Sequence, residues 1–68
     1  MVRFLLWECR SAQNISLREL EKRSGISRST LQRMESGKSS PTLLQMDIIA
    51  EALHINIAQL YEYCNDSK

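Results

Sequence analysis

An all-α fold is what this sequence predicts, and three observations carry the prediction. Capping residues recur where apolar runs begin, apolar residues then follow at helical spacing, and no stretch shows the apolar–polar alternation of a strand. The spacing of these marks divides the 68 residues into five short helices, expected to pack as one compact domain over residues 1–68. A chain this short buries a thin core and has no room for a two-domain cleft.

The first helix has no clear cap. Val2, Leu6 and Cys9 share one face with Arg10 at its edge, which gives about three turns ending before Asn14. The second opens at Ser16, whose hydroxyl and Glu19 three residues later form a capping-box pattern, with Ile15 and Leu20 placed as a hydrophobic staple. It runs from about Leu17 to Ser24, where Gly25 supplies the left-handed residue that stops it. Ser27 caps the third helix, about Arg28 to Ser36, with Ile26 and Leu31 again in staple positions and Gly37 at the end. After the loop Lys38-Ser39-Ser40-Pro41, Thr42 and Gln45 open a fourth helix reaching about Leu53. Asn56 with Gln59, flanked by Ile55 and Leu60, opens a fifth toward Cys64, and the polar residues 65–68 are expected to fray.

Composition excludes several classes of function. The early apolar run Phe4 to Trp7 is far short of the ~20 residues a membrane span needs, so a cytoplasmic protein is expected. Cys9 and Cys64 are too few for a disulfide scaffold and are read as reduced thiols. One histidine, His54, without a CxxC pair cannot build a zinc site, and no metal, cofactor or small-molecule ligand is expected. His54 has no acid or nucleophile partner in view, so the chain is not expected to be an enzyme. Gly37-Lys38-Ser39 resembles the end of a phosphate-binding loop, but Gln32 stands where that loop needs glycine and no strand precedes it.

The second and third helices are separated by only a few residues around one glycine, so they must cross steeply, as in a helix-turn-helix. At 100° per residue Leu31 and Met34 point to the core. Ser29, Gln32, Arg33 and Ser36 then share the opposite face, with Arg28 at its N-terminal shoulder. These side chains suit base edges in a DNA major groove: Arg pairs bidentately with guanine, Gln with adenine, and Ser with either partner more weakly. Arg28, Ser29, Gln32 and Arg33 are the candidate base readers. Phosphates are expected at the free amides of helix N-termini, at Ser16, Leu17 and Ser27, with Arg18, Ser36 and Lys38 as additions.

The ordered residues Ser16-Leu17-Arg18-Glu19-Leu20, Ser24-Gly25-Ile26-Ser27, Leu31, Met34-Glu35-Ser36-Gly37 and Pro41, then Leu43, Met46, Ile49-Ala50 and Leu53, resemble the phage-repressor and Cro-like helix-turn-helix family over about residues 6 to 61. The resemblance implies a five-helix, lambda-repressor-like DNA-binding domain that regulates transcription. It also implies a partly buried ion pair between Arg10 and Glu35, with Arg10 able to face a phosphate. Leu17 stands where the family often has a phosphate-contacting Gln, which leaves only its backbone amide for that role.

Some apolar residues have no place in a single core. The core stripe of the fourth helix is Leu43, Met46, Ile49, Ala50 and Leu53, while Leu44, Ile48 and Ala52 line its other side. Trp7 stands where the family usually has a polar residue, with Phe4 one turn before it. Such a patch points to a partner, most economically a second copy about a two-fold axis. The interface candidates are Trp7, Leu44 and Ile48, with Ile57, Tyr61 and Tyr63 added because the family often associates through its C-terminal part.

The net charge of +1 hides a split. Arg18 to Lys38 holds six basic residues against three acidic, whereas Asp47 to Asp66 holds four acidic and no basic residue. The expectation is therefore a small regulator, without an attached ligand-sensing domain, that reads a short palindrome in double-stranded DNA as a homodimer and acts as a repressor. The different-class alternative is a protein-binding module or antitoxin-type partner protein on the same fold.

Overall fold

The computed structural model describes residues 2–63. Its elements run β1 (Val2–Phe4), α1 (Leu6–Ala12), α2 (Leu17–Ser24), α3 (Arg28–Glu35), α4 (Leu43–Leu53), a single 3-10 turn (Ile57–Leu60) and β2 (Tyr61–Tyr63). The described residues are thus mainly helical, with four α-helices and a small antiparallel sheet, rather than all-α with five helices. β1 pairs with β2 in the register Val2↔Tyr63, Arg3↔Glu62 and Phe4↔Tyr61.

The two corrections have one cause. Val2, Phe4, Tyr61 and Tyr63 favour strands, but three-residue strands are too short to display a period, and their partners lie at the other end of the sequence. The first helix therefore starts at Leu6 rather than Val2, and the fifth is reduced to the 3-10 turn. Phe4 packs from the sheet onto the core and not from a helical turn below Trp7. The expected end of the fifth helix at Cys64 and the fraying of 65–68 lie outside the described residues.

The helix starts obey local chemistry. Ser16 Oγ accepts the Glu19 amide at 3.1 Å, and Ser27 Oγ accepts the Thr30 amide at 3.3 Å. Thr42 and Gln45 close a full capping box, each side chain bonded to the other's backbone N–H at 3.0 and 2.9 Å. At Ser16 the reciprocal half is replaced, because the Glu19 carboxylate is held by Arg23 one turn on. Gly25 ends α2 at φ 79° with nothing within 4 Å of where a Cβ would sit, so its requirement is conformational and not steric. Asn14 and His54 take the same left-handed region at the ends of α1 and α4.

Leu6, Leu20, Leu31, Ile49, Leu53 and Leu60 are fully buried, and Ile15, Met34 and Ala50 complete the core. Each large member contributes about 1.5–3 kcal/mol by leaving water. The staple residues all join the core: Ile15, Leu20 and Leu31 are buried in it, and Ile26 packs against it. The α4 stripe is only partly as expected. Ile49, Ala50 and Leu53 are buried and Met46 lies against them, but Leu43 is 73% exposed because the first turn of α4 stands clear of the core. Ala52, expected on the far face, is packed against the core instead. Trp7 and Leu44 are exposed, at 57% and 68%, and Ile48 is half-buried.

Candidate nucleic-acid interface

The turn Gly25-Ile26-Ser27 sets α3 across α2, with the Ile26 amide bonded to Ser24 Oγ at 3.1 Å. Leu31 and Met34 hold α3 to the core by one face, and that fixes which residues the other face presents. Arg28, Ser29, Gln32 and Arg33 are all exposed there, followed by Ser36 and Lys38. Among the described residues none of Arg18, Lys22, Arg28, Arg33 and Lys38 forms an ion pair. With no counter-charge to give up among the described residues, they would meet a polyanion at little cost in broken contacts.

The end of α3 is tied off locally. The Arg33 carbonyl accepts the Lys38 amide at 2.9 Å, the Ser39 amide at 3.3 Å and the Ser36 hydroxyl at 3.2 Å. Ser36 is thereby anchored beside the exposed row, and Lys38 is carried just beyond it. At the other end the Ser27 hydroxyl accepts from Thr30 N and donates to Thr30 Oγ1 at 2.8 Å. Its donor is spent inside the turn, so the amides of the first α3 residues are what it leaves for an anion. The Ser16 hydroxyl is exposed at the head of α2, whereas Leu17 turns its side chain toward the core and offers only its amide.

Arg10 is placed differently. Its Nε and Nη2 donate to the two Glu35 carboxylate oxygens at 2.8 and 3.2 Å, and Nη1 donates to the Ile15 carbonyl at 2.9 Å. The two side chains are only 15% and 12% exposed, so this bidentate pair fastens α1 to the end of α3. Three of its N–H groups are committed inside the protein, which leaves Arg10 little to give a phosphate.

Sequence reasoning missed two polar features. Arg23, counted with the basic half, bonds Glu19 at 3.2 Å and reaches the Ala52 carbonyl of α4 at 3.4 Å, so its charge is spent toward the rear. The Glu–Arg spacing of four residues on a helix was the signal. Arg3 pairs with Glu62 at 2.9 Å across the sheet, which no local pattern announces. Cys9 is a free thiol donating to the Gln59 carbonyl at 3.2 Å, and burial, helped by the neighbouring Glu8 charge, pushes its pKa up. Cys64 lies outside the described residues. Among those described, no helix is long and apolar enough to cross a membrane.

Two capped helices crossing at a glycine, with an exposed polar row on the second, define a helix-turn-helix DNA-binding domain. The helix-turn-helix family model matches residues 8–60, most of the chain, and the protein belongs to the phage-repressor, Cro-like helix-turn-helix family. It is accordingly a DNA-binding transcriptional regulator, and its partner is double-stranded DNA. No curated protein matches the sequence. Both strands of the sheet lie outside the matched stretch.

Proposed function

We propose that the protein is a repressor that reads a short palindrome as a homodimer in the cytoplasm, with α3 of each copy in the major groove. The observation that carries this reading is the row Arg28, Ser29, Gln32 and Arg33, which is exposed and has no ion pair among the described residues. Arg28 and Arg33 recognise guanine O6 and N7, Gln32 recognises adenine N6 and N7, and Ser29 takes either partner. The amides at the heads of α2 and α3, the Ser16 hydroxyl, Arg18, Ser36 and Lys38 grip phosphates and set the register without reading sequence. Arg10 serves the fold through Glu35.

A single recognition helix makes few base contacts, so two copies with helices about 34–36 Å apart are needed to read successive grooves. Trp7, Leu44, Tyr61 and Tyr63 are exposed and Ile48 and Ile57 half-buried, which gives the monomer apolar surface that a second copy can cover. Occupying a promoter then suffices for repression.

The test is a gel shift on the DNA upstream of the protein's own gene, run over a salt series. The reading expects a palindrome-specific complex that weakens steeply with salt as phosphate contacts release counterions. Absence of any such complex at low salt, with the protein folded, contradicts it and favours a protein-binding role for the α3 face.

A further inference from the structure

We propose that the cleft between the sheet and the loop after α3 is a binding site for a small, neutral aromatic molecule, whose presence there adjusts the grip of α3 and Lys38 on DNA. The site is separate from the base-reading row and adds a ligand to a DNA-binding domain.

The cleft holds about 490 Å³, inside the range of about 300–1,000 Å³ usual for small-molecule sites. Met34 is buried, and Phe4 and Met46 pack against the core, so these three make its floor, with Tyr61 on the sheet side and Pro41 on the loop side. Val2, Phe4 and Tyr61 all fall outside residues 8–60 matched by the family model. One wall of the cleft therefore comes from outside the shared fold.

The lining specifies the chemistry of the occupant. Two charged residues border the cleft and both are already answered, Glu35 by the bidentate Arg10 and Arg3 by Glu62 at 2.9 Å. A charged ligand would leave water without meeting a free counter-charge among the described residues, so a neutral one is selected. Two thioethers and two aromatic rings favour a flat ring system, because sulfur and ring edges both gain from contact with an aromatic face. The Ser39 and Ser40 hydroxyls border the same space and take no hydrogen bond among the described residues, which gives a polar ring atom its partner.

Position gives the ligand its effect. Met34 and Glu35 belong to the last turn of α3, whereas Ser39, Ser40 and Pro41 belong to the loop that also carries the exposed Lys38. That loop starts on α3 itself, since the Arg33 carbonyl accepts the Lys38 amide at 2.9 Å and the Ser39 amide at 3.3 Å. A molecule held between sheet and loop thus bears on the immediate neighbours of Arg33 and Lys38. The coupling is reciprocal: DNA changes the ligand's affinity by the same factor as the ligand changes that of DNA.

Methyl NMR of the whole protein labelled at methionine, titrated with indole, tests the site. Indole is neutral and flat, with one N–H for a serine hydroxyl, and is expected to shift the Met34 and Met46 methyls together, saturably, with a dissociation constant of about 1 mM or tighter. Ser40→Trp sets a ring in the mouth of the cleft from an exposed loop position, so the fold stands and the constant rises about tenfold or more. Leu44→Ala, in the separate depression lined by Leu43, Asp47 and Ile57, leaves it within about twofold. Indole-3-carboxylate, with the same rings and a charge, binds about fivefold weaker or worse. In fluorescence anisotropy on a duplex of arbitrary sequence at low salt, saturating indole changes the DNA dissociation constant by about fivefold, and DNA changes the indole constant by the same factor. Methyls that stay in place, or that shift alike in Ser40→Trp, overturn the site. A cleft that fills while DNA affinity is unchanged overturns its part in DNA binding. The titration without DNA keeps a failure of the site apart from a failure of the DNA-reading assignment.

Discussion

The basic residues of this small protein divide into two populations, those paired within the fold and those left exposed without an ion pair among the described residues. Around α1, the sheet and the rear of α2, Arg10 is clamped on Glu35, Arg3 on Glu62 and Arg23 on Glu19. Along α3 and its approaches, Arg18, Arg28, Arg33 and Lys38 have no ion-pair partner among the described residues. A cation that is already paired has been spent on holding elements together. One left to water keeps its full attraction for phosphate or a base edge, so charge placement is more informative here than the near-neutral total.

That contrast can be broken most sharply at its buried end. Glu35→Ala leaves Arg10 uncompensated at 15% exposure and is expected to cost about 3–5 kcal/mol of folding stability, read by urea denaturation. On the recognition side, Arg28→Ala and Arg33→Ala are each expected to lose about 1–3 kcal/mol of specific binding while the denaturation midpoint stays put. Equal losses on specific and random DNA would move these two side chains from bases to phosphates. Lys38→Ala weakens binding to all sequences alike, and the slope of log affinity against log salt falls by about one. The smallest effect belongs to Arg23→Gln: its pair with Glu19 is exposed, so less than about 0.5 kcal/mol of stability and no sequence preference should be lost.

What could be read from the sequence followed the range of the interactions. Caps at Ser16, Ser27 and Thr42 and the stop at Gly25 act within one helical turn, so spacing alone located them. The exposed row of α3 followed from the same periodicity once Leu31 and Met34 were assigned inward. The sheet was hidden, because Arg3 and Glu62 are 59 residues apart and neither strand is long enough to alternate visibly. Leu43 was misplaced because periodicity gives the direction of a side chain but not the point where the core ends beneath it. The Arg10–Glu35 contact, across 25 residues, was reached through family resemblance and not through spacing.

The sheet also changes what the ends of the domain do. Instead of two helices closing the core, β1 and β2 hold each other beside the loop that follows α3, where Phe4, Tyr61, Met34 and Pro41 border a common cleft. The end of α3 is held to α1 by the Arg10–Glu35 pair.

The central claim, that α3 reads bases through its unpaired side chains, is met most directly by selecting bound sites from a random pool of double-stranded DNA with the unmodified protein and with Arg33→Ala. The account predicts a palindrome with half-sites about one helical turn apart, and loss of preference at one base pair of each half-site in the variant. A selected pool with no common sequence, or one whose preference is unchanged by Arg33→Ala and Arg28→Ala alike, would contradict it.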